Sequence, residues 1–477
     1  MNKLFRYFLI TSILIVTSCE IEKIGIAKPS TNTPVSGLPS FIIETNTSIE
    51  NEPKIPGYLK ILENGELVFE NQIGIEYRGS TSFRLSDKKS FGFETWDEFN
   101  DGIDTAILGF PEEEDWILTG QVFRSSTNTL FDPTLMRHYI GYELYRSMGN
   151  YASRCKFVEL TVNGDFSGTY IFMEKLKRDD NRIDIKKLTP DENDPDNISG
   201  GYILKIDKTS GGDVAPNQPL AYYETNWEDD ARYNENISFR SSYSVNREIL
   251  NIMPFGPPYH SNQNLETYFL YEYPKAEDIS SEQKEYIKNY IYDFETALLN
   301  DDFSSGIRTY PEYIDVNSFV DYFLLNELVR NIDAYRISTF MSKDLNGKLK
   351  MGPVWDLNIG YNDTDRMPVE DWIINYNSYA PNDAWLVPFW WKRLMEDPQF
   401  KNEIKQRWNT LRTNVFSNRE VVSLVQNTSN YLIETGAIER NYNRWTGINI
   451  SYSEEIDALI DYLEFRLQWM DDNIENL

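Results

Sequence analysis

The sequence predicts an α+β fold in which a β-rich N-terminal portion, about residues 41–207, precedes a helical portion, about residues 266–477. Three observations carry that expectation. Alternating apolar residues flank Asn64-Gly65 in YLKILENGELVFE and Asn163-Gly164 in KFVELTVNGDFSGTYIFMEKL, the pattern of hairpins closed by Asn-Gly turns. From about residue 280 helical periodicity takes over, with Ser and Asp at capping positions. At 477 residues the chain is long enough to bury a sizeable core, in one large domain or two ordinary ones.

The first segment stands apart from that fold. MNKLFRYFLITSILIVTSC has a basic start at Lys3 and Arg6, an apolar run from Phe8 to Val16, and small residues before Cys19. That is a secretory signal, too short for a permanent span. Its Val-Thr-Ser-Cys ending resembles a bacterial lipoprotein signal, cleaved before a cysteine that then carries lipid on its sulfur. The expected division is a signal over 1–18, a Pro/Ser/Thr-rich tether over 19–40, and a folded domain over 41–477. This predicts a cell-envelope protein held to a membrane by lipid at Cys19, outside the cytoplasm.

Within the domain, NQIGIEYRG and KKSFGFETW continue the strand character. A helix is predicted over 133–148, with Pro133 in its first turn, Leu135, Ile140, Leu144 and Met148 on one face, and Gly149 as its stop. The polar stretch 208–265 reads as an ordered insertion with short strands, because Trp, Tyr and Phe recur in it. SSEQKEYIKNYIYDFETALLN opens with a serine cap, and DVNSFVDYFLLNELVRN with Asp315 as N-cap. The C-terminal segment divides into several helices broken at Pro398, Ser417-Asn418 and Gly447.

A formal net charge of −29 excludes a sequence-blind grip on phosphate backbones, so no nucleic-acid partner is expected. If Cys19 is lipidated, Cys155 has no disulfide partner and the fold rests on packing, with Cys155 as a small buried hydrophobe. Only two histidines exist, His138 and His260, too few to assemble a His-rich zinc site or a Ser-His-Asp triad with conviction. Chemistry must rest on carboxylates, Lys, Arg and Asn.

One segment concentrates such groups. In DAYRISTFMSKDLNGKLKMGPVWD, Asn346-Gly347 signals a type I′ turn, and its arms bring Asp333 and Asp356 to the same end of one hairpin. Two close carboxylates raise each other's pKa unless a cation sits between them, and a hard divalent ion resolves the repulsion, with amide oxygens from Asn358 and Asn362 available. Helix, carboxylate, hairpin, second carboxylate is also the layout of a protein kinase catalytic region, although neither H-R-D nor D-F-G is present.

The stretches IEYRGSTSFRLSDKKSFGFE, DWILTGQVF, TLMRHYIGYELYRSMGNYASRCKFVELTVNGDFSGTYIFMEKLKRDDNRIDI, SGGYILKID, NELVRNIDAYRISTFMSKDLNGKLKMGPVWDLNIG and RWNTLRTNVFS resemble the spore coat protein H (CotH) kinase-like family, in order from about 55 to 475. The NxDxYRxS and GPxWDxN forms resemble lipoprotein members of the Bacteroidetes type. The resemblance implies an atypical protein-kinase-like, two-lobed fold that uses ATP with magnesium, or manganese, to phosphorylate hydroxyls. It places Asp333 as the catalytic aspartate and Asp356, with Asn358, at the metal. Lys88, with Lys89 the weaker occupant, takes the phosphate-steadying role, and Arg78 is a phosphate contact. Glu174 either contacts nucleotide or pairs with a cation. Two departures weaken the ligand set expected at the metal: Ser338 stands where many members have Asn, and Asn358, without a negative charge, where many have a second Asp.

Two further readings stay open at this stage. One is a non-catalytic pseudokinase module that binds carbohydrate or partner proteins through aromatic segments such as WEDD, AWLVPFWW and NRWTGIN, although AWLVPFWW also reads as core. The other, a glycoside hydrolase with two carboxylates across a sugar cleft, is disfavoured by the resemblance. The acceptor of the phosphoryl group is an unknown surface protein or glycan.

Overall fold

The computed structural model describes residues 37–477 apart from 80, 210–222, 224–229, 257–258, 362–365 and 448–449. Cys19, Asn362, the signal and most of the tether lie outside the described residues. The protein is mixed α+β, with a β-rich N-terminal part and helices in the C-terminal part.

Strands β1 (Ser40–Thr45), β2 (Ile55–Glu63), β3 (Glu66–Arg78), β4 (Ser90–Trp96) and β5 (Asp115–Thr119) are followed by the two-residue β6 (Phe123–Arg124) and β7 (Thr129–Leu130). Then come β8 (Cys155–Val162) and β9 (Asp165–Glu174). Both expected Asn-Gly hairpins form: Asn64 and Gly65 have φ of 50° and 83°, and Asn163 and Gly164 have 50° and 77°, the left-handed pair that a type I′ turn requires. Seven strands close into a barrel in the order β1-β2-β3-β4-β5-β9-β8. Closure is the parallel pairing of β1 with β8, from Ser40 opposite Glu159 to Ile43 opposite Val162. Phe41, Phe93, Phe110, Trp116 and Phe172 fill the interior, and Phe110 stacks on Phe172 with centroids 5.4 Å apart.

A second sheet runs β11-β12-β10-β13-β14, from β10 (Tyr202–Ile206), β11 (Ser238–Arg240), β12 (Tyr268–Tyr273), β13 (Thr339–Lys343) and β14 (Leu349–Met351). The predicted insertion thus supplies β11. The hairpin between the two aspartates forms, but its turn differs from expectation. Lys343 pairs with Leu349, so five residues bridge the strands, and Asn346 alone of the Asn-Gly pair is left-handed, with φ of 54°. The cause is tertiary: Asp344 accepts from the Lys186 N–H at 2.8 Å, and Ser199 bonds Asn346, docking the turn on a neighbouring loop.

The principal helices are α1 (Arg137–Ser147), α2 (Ser281–Asn300), α3 (Val316–Val329), α4 (Pro398–Arg412), α5 (Asn418–Glu434), α6 (Ala437–Arg444) and α7 (Tyr452–Asn473). The expected caps at Ser280 and Asp315 accept from Gln283 and Ser318. Helix α1 starts four residues later than predicted, because the Asp132 carboxylate takes the Thr134 hydroxyl and the Arg137 N–H while Leu135 turns left-handed at φ 62°. Gly149 ends it as expected, and a break at Gly436 (φ 69°) was not foreseen. Trp385, Trp390 and Trp391 of AWLVPFWW are at most 4% exposed, so that segment fills the core.

Two buried carboxylates tie this part together. Glu327 on α3 pairs with Arg466 on α7 at 3.2 Å, both fully buried. The same carboxylate accepts from the N–H groups of Ile373 and Ile374 and from the Tyr335 hydroxyl, while Arg466 donates to the carbonyls of Glu327, Val369 and Asp371. Burial raises the Glu327 pKa to about 7 against the pull of Arg466 and these donors. Replacing Arg466 with leucine is expected to cost about 3–5 kcal/mol in a chemical-denaturation experiment, because it strands Glu327 without its counter-ion.

Among the described residues, Glu295 on α2 has no such cation. The Ser241 hydroxyl and the Trp390 indole N–H both donate to it at 2.8 Å, and burial pushes its pKa up to about 8. The folded state therefore holds a proton that the unfolded chain releases above about 4.5, and stability falls as pH climbs from that value toward 8. Glu295→Gln keeps the shape and an acceptor for Trp390. Its unfolding free energy at pH 8 is expected to exceed the parent's by roughly 1–4 kcal/mol, with the difference shrinking toward pH 5.

Candidate functional site

Helix α3 ends where Arg330 turns left-handed (φ 51°) and sends its buried guanidinium to the carbonyls of Met367 and Pro368. The chain then folds tightly: the Asn331 amide oxygen takes the Asp333 N–H at 3.3 Å, and Tyr335 (φ 74°) reaches back to Glu327. Asp333 is thereby fixed at the head of the turn. Arg336 Nη2 and Arg366 Nη1 contact its Oδ1 at 2.6 and 3.1 Å. Burial alone would raise its pKa, but the charges of Arg336, Arg366 and Lys208 outweigh that and hold it below the ordinary carboxylate range. Arg336 is itself seated by the carbonyls of Ile332 and Trp385 and by the Tyr376 ring, 4.1 Å away.

Asp356 arrives from the other end of the hairpin. Gly352 has φ of 101°, and a Cβ there would sit 2.8 Å from the Tyr145 hydroxyl, so only glycine fits the turn. Val354 and Leu357 are fully buried, and Leu357 packs where Gly141 leaves room on α1. Two α1 side chains one turn apart hold the backbone: the Tyr142 hydroxyl accepts from the Asp356 N–H and His138 Nδ1 from the Leu357 N–H, both at 3.3 Å. Burial lowers the His138 pKa to about 4, so the ring is neutral. With Nδ1 accepting, its proton is on Nε2, 3.8 Å from Asp356 Oδ1.

These contacts place Asp356 in a left-handed conformation (φ 55°, ψ 59°) before a 3₁₀ turn, Leu357–Ile359, that its side chain does not cap. The side chain is 48% exposed. Burial in the recess and then the like charge of Asp333 push its pKa up to about 6, against Arg78 and Lys208. Since the carboxylate faces open space, the repulsion from Asp333 is the part that a bound cation would relieve. A carboxylate with a free face fits magnesium, which takes one or two carboxylates and fills its other positions from phosphates and water. Asn358 lies inside the 3₁₀ turn, and its backbone carbonyl accepts from Arg137 at 3.4 Å.

The structure thus brings Asp333 and Asp356 together, and Arg78 with them. Arg78 ends β3, and its guanidinium carbon is 5.4 Å from the ring of Trp355, the residue before Asp356. Two expectations fail, those for Lys88 and Lys89. Lys88 is 1% exposed and its ammonium is spent on the Gln121 side chain (2.7 Å), the Thr169 carbonyl (2.5 Å) and Asn441 (2.9 Å). It locks β9 to α6, and burial drives its pKa well down. Lys89 turns to the Phe83 carbonyl and ring, so it does not take the role instead. Of the two readings left open for Glu174, the structure shows the cation pair: it is fully buried against Arg154 (2.6 Å) and Arg182 (3.3 Å), away from solvent.

Sequence reasoning missed Arg336, Arg366, Lys208, His138 and Tyr142. Arg336 stood in the open as the arginine three residues after Asp333, the spacing of a one-turn ion pair. The others come from distant segments and carried no local signal. The acidic run Glu113, Glu114, Asp115 is a different matter: Lys54, Lys175 and Lys177 neutralise it by direct ion pairs.

No curated protein matches the chain. A family model described as CotH kinase protein matches residues 75–470, from the strand end that carries Arg78, through both aspartates, to the last turn of α7. The chain therefore belongs to the CotH kinase protein family.

Proposed function

We propose that this kinase-like protein transfers the γ-phosphoryl group of a nucleotide to a hydroxyl of a surface protein or glycan, on the outer side of a membrane to which lipid on Cys19 holds it. The observation that supports this best is the pairing of two unlike aspartates. Asp333 is clamped by two arginines and kept ionised, while Asp356, left-handed and partly open, carries the repulsion of its neighbour. A two-lobed arrangement, with nucleotide held where the barrel meets the second sheet, accords with Arg78 reaching Trp355 and Asp356 from the end of β3.

In this reading Asp356, with Asn358 beside it, holds magnesium, which when bound neutralises charge on the phosphates. Asp333 accepts the hydrogen bond of the acceptor hydroxyl and aims its oxygen. A carboxylate held below its usual pKa is a weak base, and phosphoryl transfer asks for little more than positioning and charge neutralisation. The new oxygen–phosphorus bond forms as the bond to the β,γ-bridging oxygen breaks, and the hydroxyl proton passes to solvent or product phosphate. Arg78 offers guanidinium hydrogens to phosphate oxygens.

The purified chain from residue 21, incubated with magnesium, γ-labelled ATP and a cell-envelope extract, tests this. Transfer is expected in the parent and a fall of about 10²–10⁴-fold in Asp333→Asn, with nucleotide binding retained. Asp356→Asn should remove the magnesium dependence of nucleotide binding. Nucleotide binding without transfer in the parent would favour the pseudokinase module, a reading that the two arginines on Asp333 and the neutral Ser338 and Asn358 also suit. Glycan binding with no nucleotide affinity would sink the kinase reading.

A further inference from the structure

The failure of Lys88 to reach the aspartates leaves the phosphate-steadying cation unassigned, and the geometry points elsewhere. Lys208 follows β10, and its ammonium lies 5.4 Å above the indole of Trp385. That indole is a fixed platform. Its N–H donates to the Tyr233 hydroxyl at 2.7 Å, and Tyr233 donates to the Asp207 carbonyl at 2.6 Å, next to Lys208 in the chain. The Trp385 carbonyl accepts from Arg336 at 3.1 Å, and Arg336 holds Asp333. The backbone N–H of Lys208 is fixed in turn by the Asp207 carboxylate at 2.9 Å. One connected set of contacts therefore runs from Asp333 through Arg336 and Trp385 to the Lys208 ammonium.

The charge of Lys208 is felt at both functional aspartates, where it favours the ionised form of each. Burial lowers the pKa of Lys208 itself, and the charges of Asp333, Asp230 and Asp207 oppose that fall. In the proposed reaction the transferred phosphoryl group lies between the acceptor hydroxyl at Asp333 and the phosphates at Asp356. A cation whose charge acts on both carboxylates, and which the Trp385–Arg336 contacts tie to Asp333, favours the negative charge that accumulates on that group.

Resting on the kinase reading above, we propose that Lys208, and not Lys88, is the lysine that contacts the nucleotide's terminal phosphates. It differs from Lys88 in what surrounds it. Lys88 is closed in by three neutral oxygens between the barrel and α6, whereas Lys208 is tied to Asp333 through Trp385 and Arg336.

Calorimetric titration of the chain from residue 21 with magnesium and β,γ-imido-ATP, and separately with adenosine, decides it. Lys208→Met is expected to weaken imido-ATP binding about tenfold or more, to leave adenosine binding unchanged, and to recover most of the loss as Lys208→Arg. Lys88→Met is expected to melt at a lower temperature while, below its transition, binding imido-ATP as the parent does. Lys208→Gln, which keeps the stem and a donor, is read in place of Lys208→Met if the latter does not fold. Triphosphate affinity within twofold of the parent in the folded Lys208 variants would overturn the assignment. So would an equal loss for adenosine and imido-ATP, which marks general damage to the site. If the parent binds neither ligand, the kinase reading itself fails and takes this assignment with it.

Discussion

The placement of Asp333 hangs on one buried ion pair. Glu327 and Arg466 have no access to water, and desolvating two charges is tolerable only when their remaining hydrogen-bonding capacity is met. Here it is met by backbone groups that would otherwise have no fixed place: two N–H groups at 373–374 and carbonyls at 327, 369 and 371. One interaction thus joins α3, α7 and the segment that carries Arg366. The Tyr335 hydroxyl on the same carboxylate extends the constraint into the turn that presents Asp333. The aspartate is aimed by the helical core, and the hairpin that follows it is aimed along with it.

Asp356 is held by a different device, and the contrast explains why two carboxylates in one recess behave differently. Guanidinium groups engage Asp333 directly, and its charge is stabilised. Asp356 receives backbone support from α1, through Tyr142 and His138, and its half-exposed side chain meets the like charge of Asp333, opposed at longer range by Arg78 and Lys208. Environments that push two pKa values apart divide the labour between them. The clamped group suits a fixed hydrogen-bond acceptor, and the strained one gains most from a cation.

What the sequence could show was mostly local. Asn64-Gly65 and Asn163-Gly164 specify their hairpins because a left-handed pair is encoded in two adjacent residues, and Ser280 and Asp315 cap their helices for equally local reasons. The pairing of Asp333 with Asp356 was legible because one hairpin separates them. Barrel closure was not, since β1 meets β8 across more than a hundred residues. Lys88 shows the same limit more sharply. Its position after a glycine-containing turn in a strand-rich region suits a phosphate lysine, but Asn441, from a helix near the other end of the chain, claims its ammonium. The Asn346-Gly347 turn was lost to Asp344 and Ser199, again through contacts from afar.

Ser338 and Asn358 take on a new meaning in this setting. Ser338 sits left-handed at φ 49°, a conformation in which Asn is several-fold enriched and Ser is less at ease. Its hydroxyl oxygen sits on a shorter arm than an Asn amide oxygen. Asn358 contributes no charge beside Asp356. Asp356 is countered by Arg78 and Lys208, though burial and Asp333 still hold its pKa above the ordinary carboxylate range. Under the kinase reading, those two fixed cations would share with magnesium the neutralisation of the phosphates, in a recess where Asn358 adds no further negative charge.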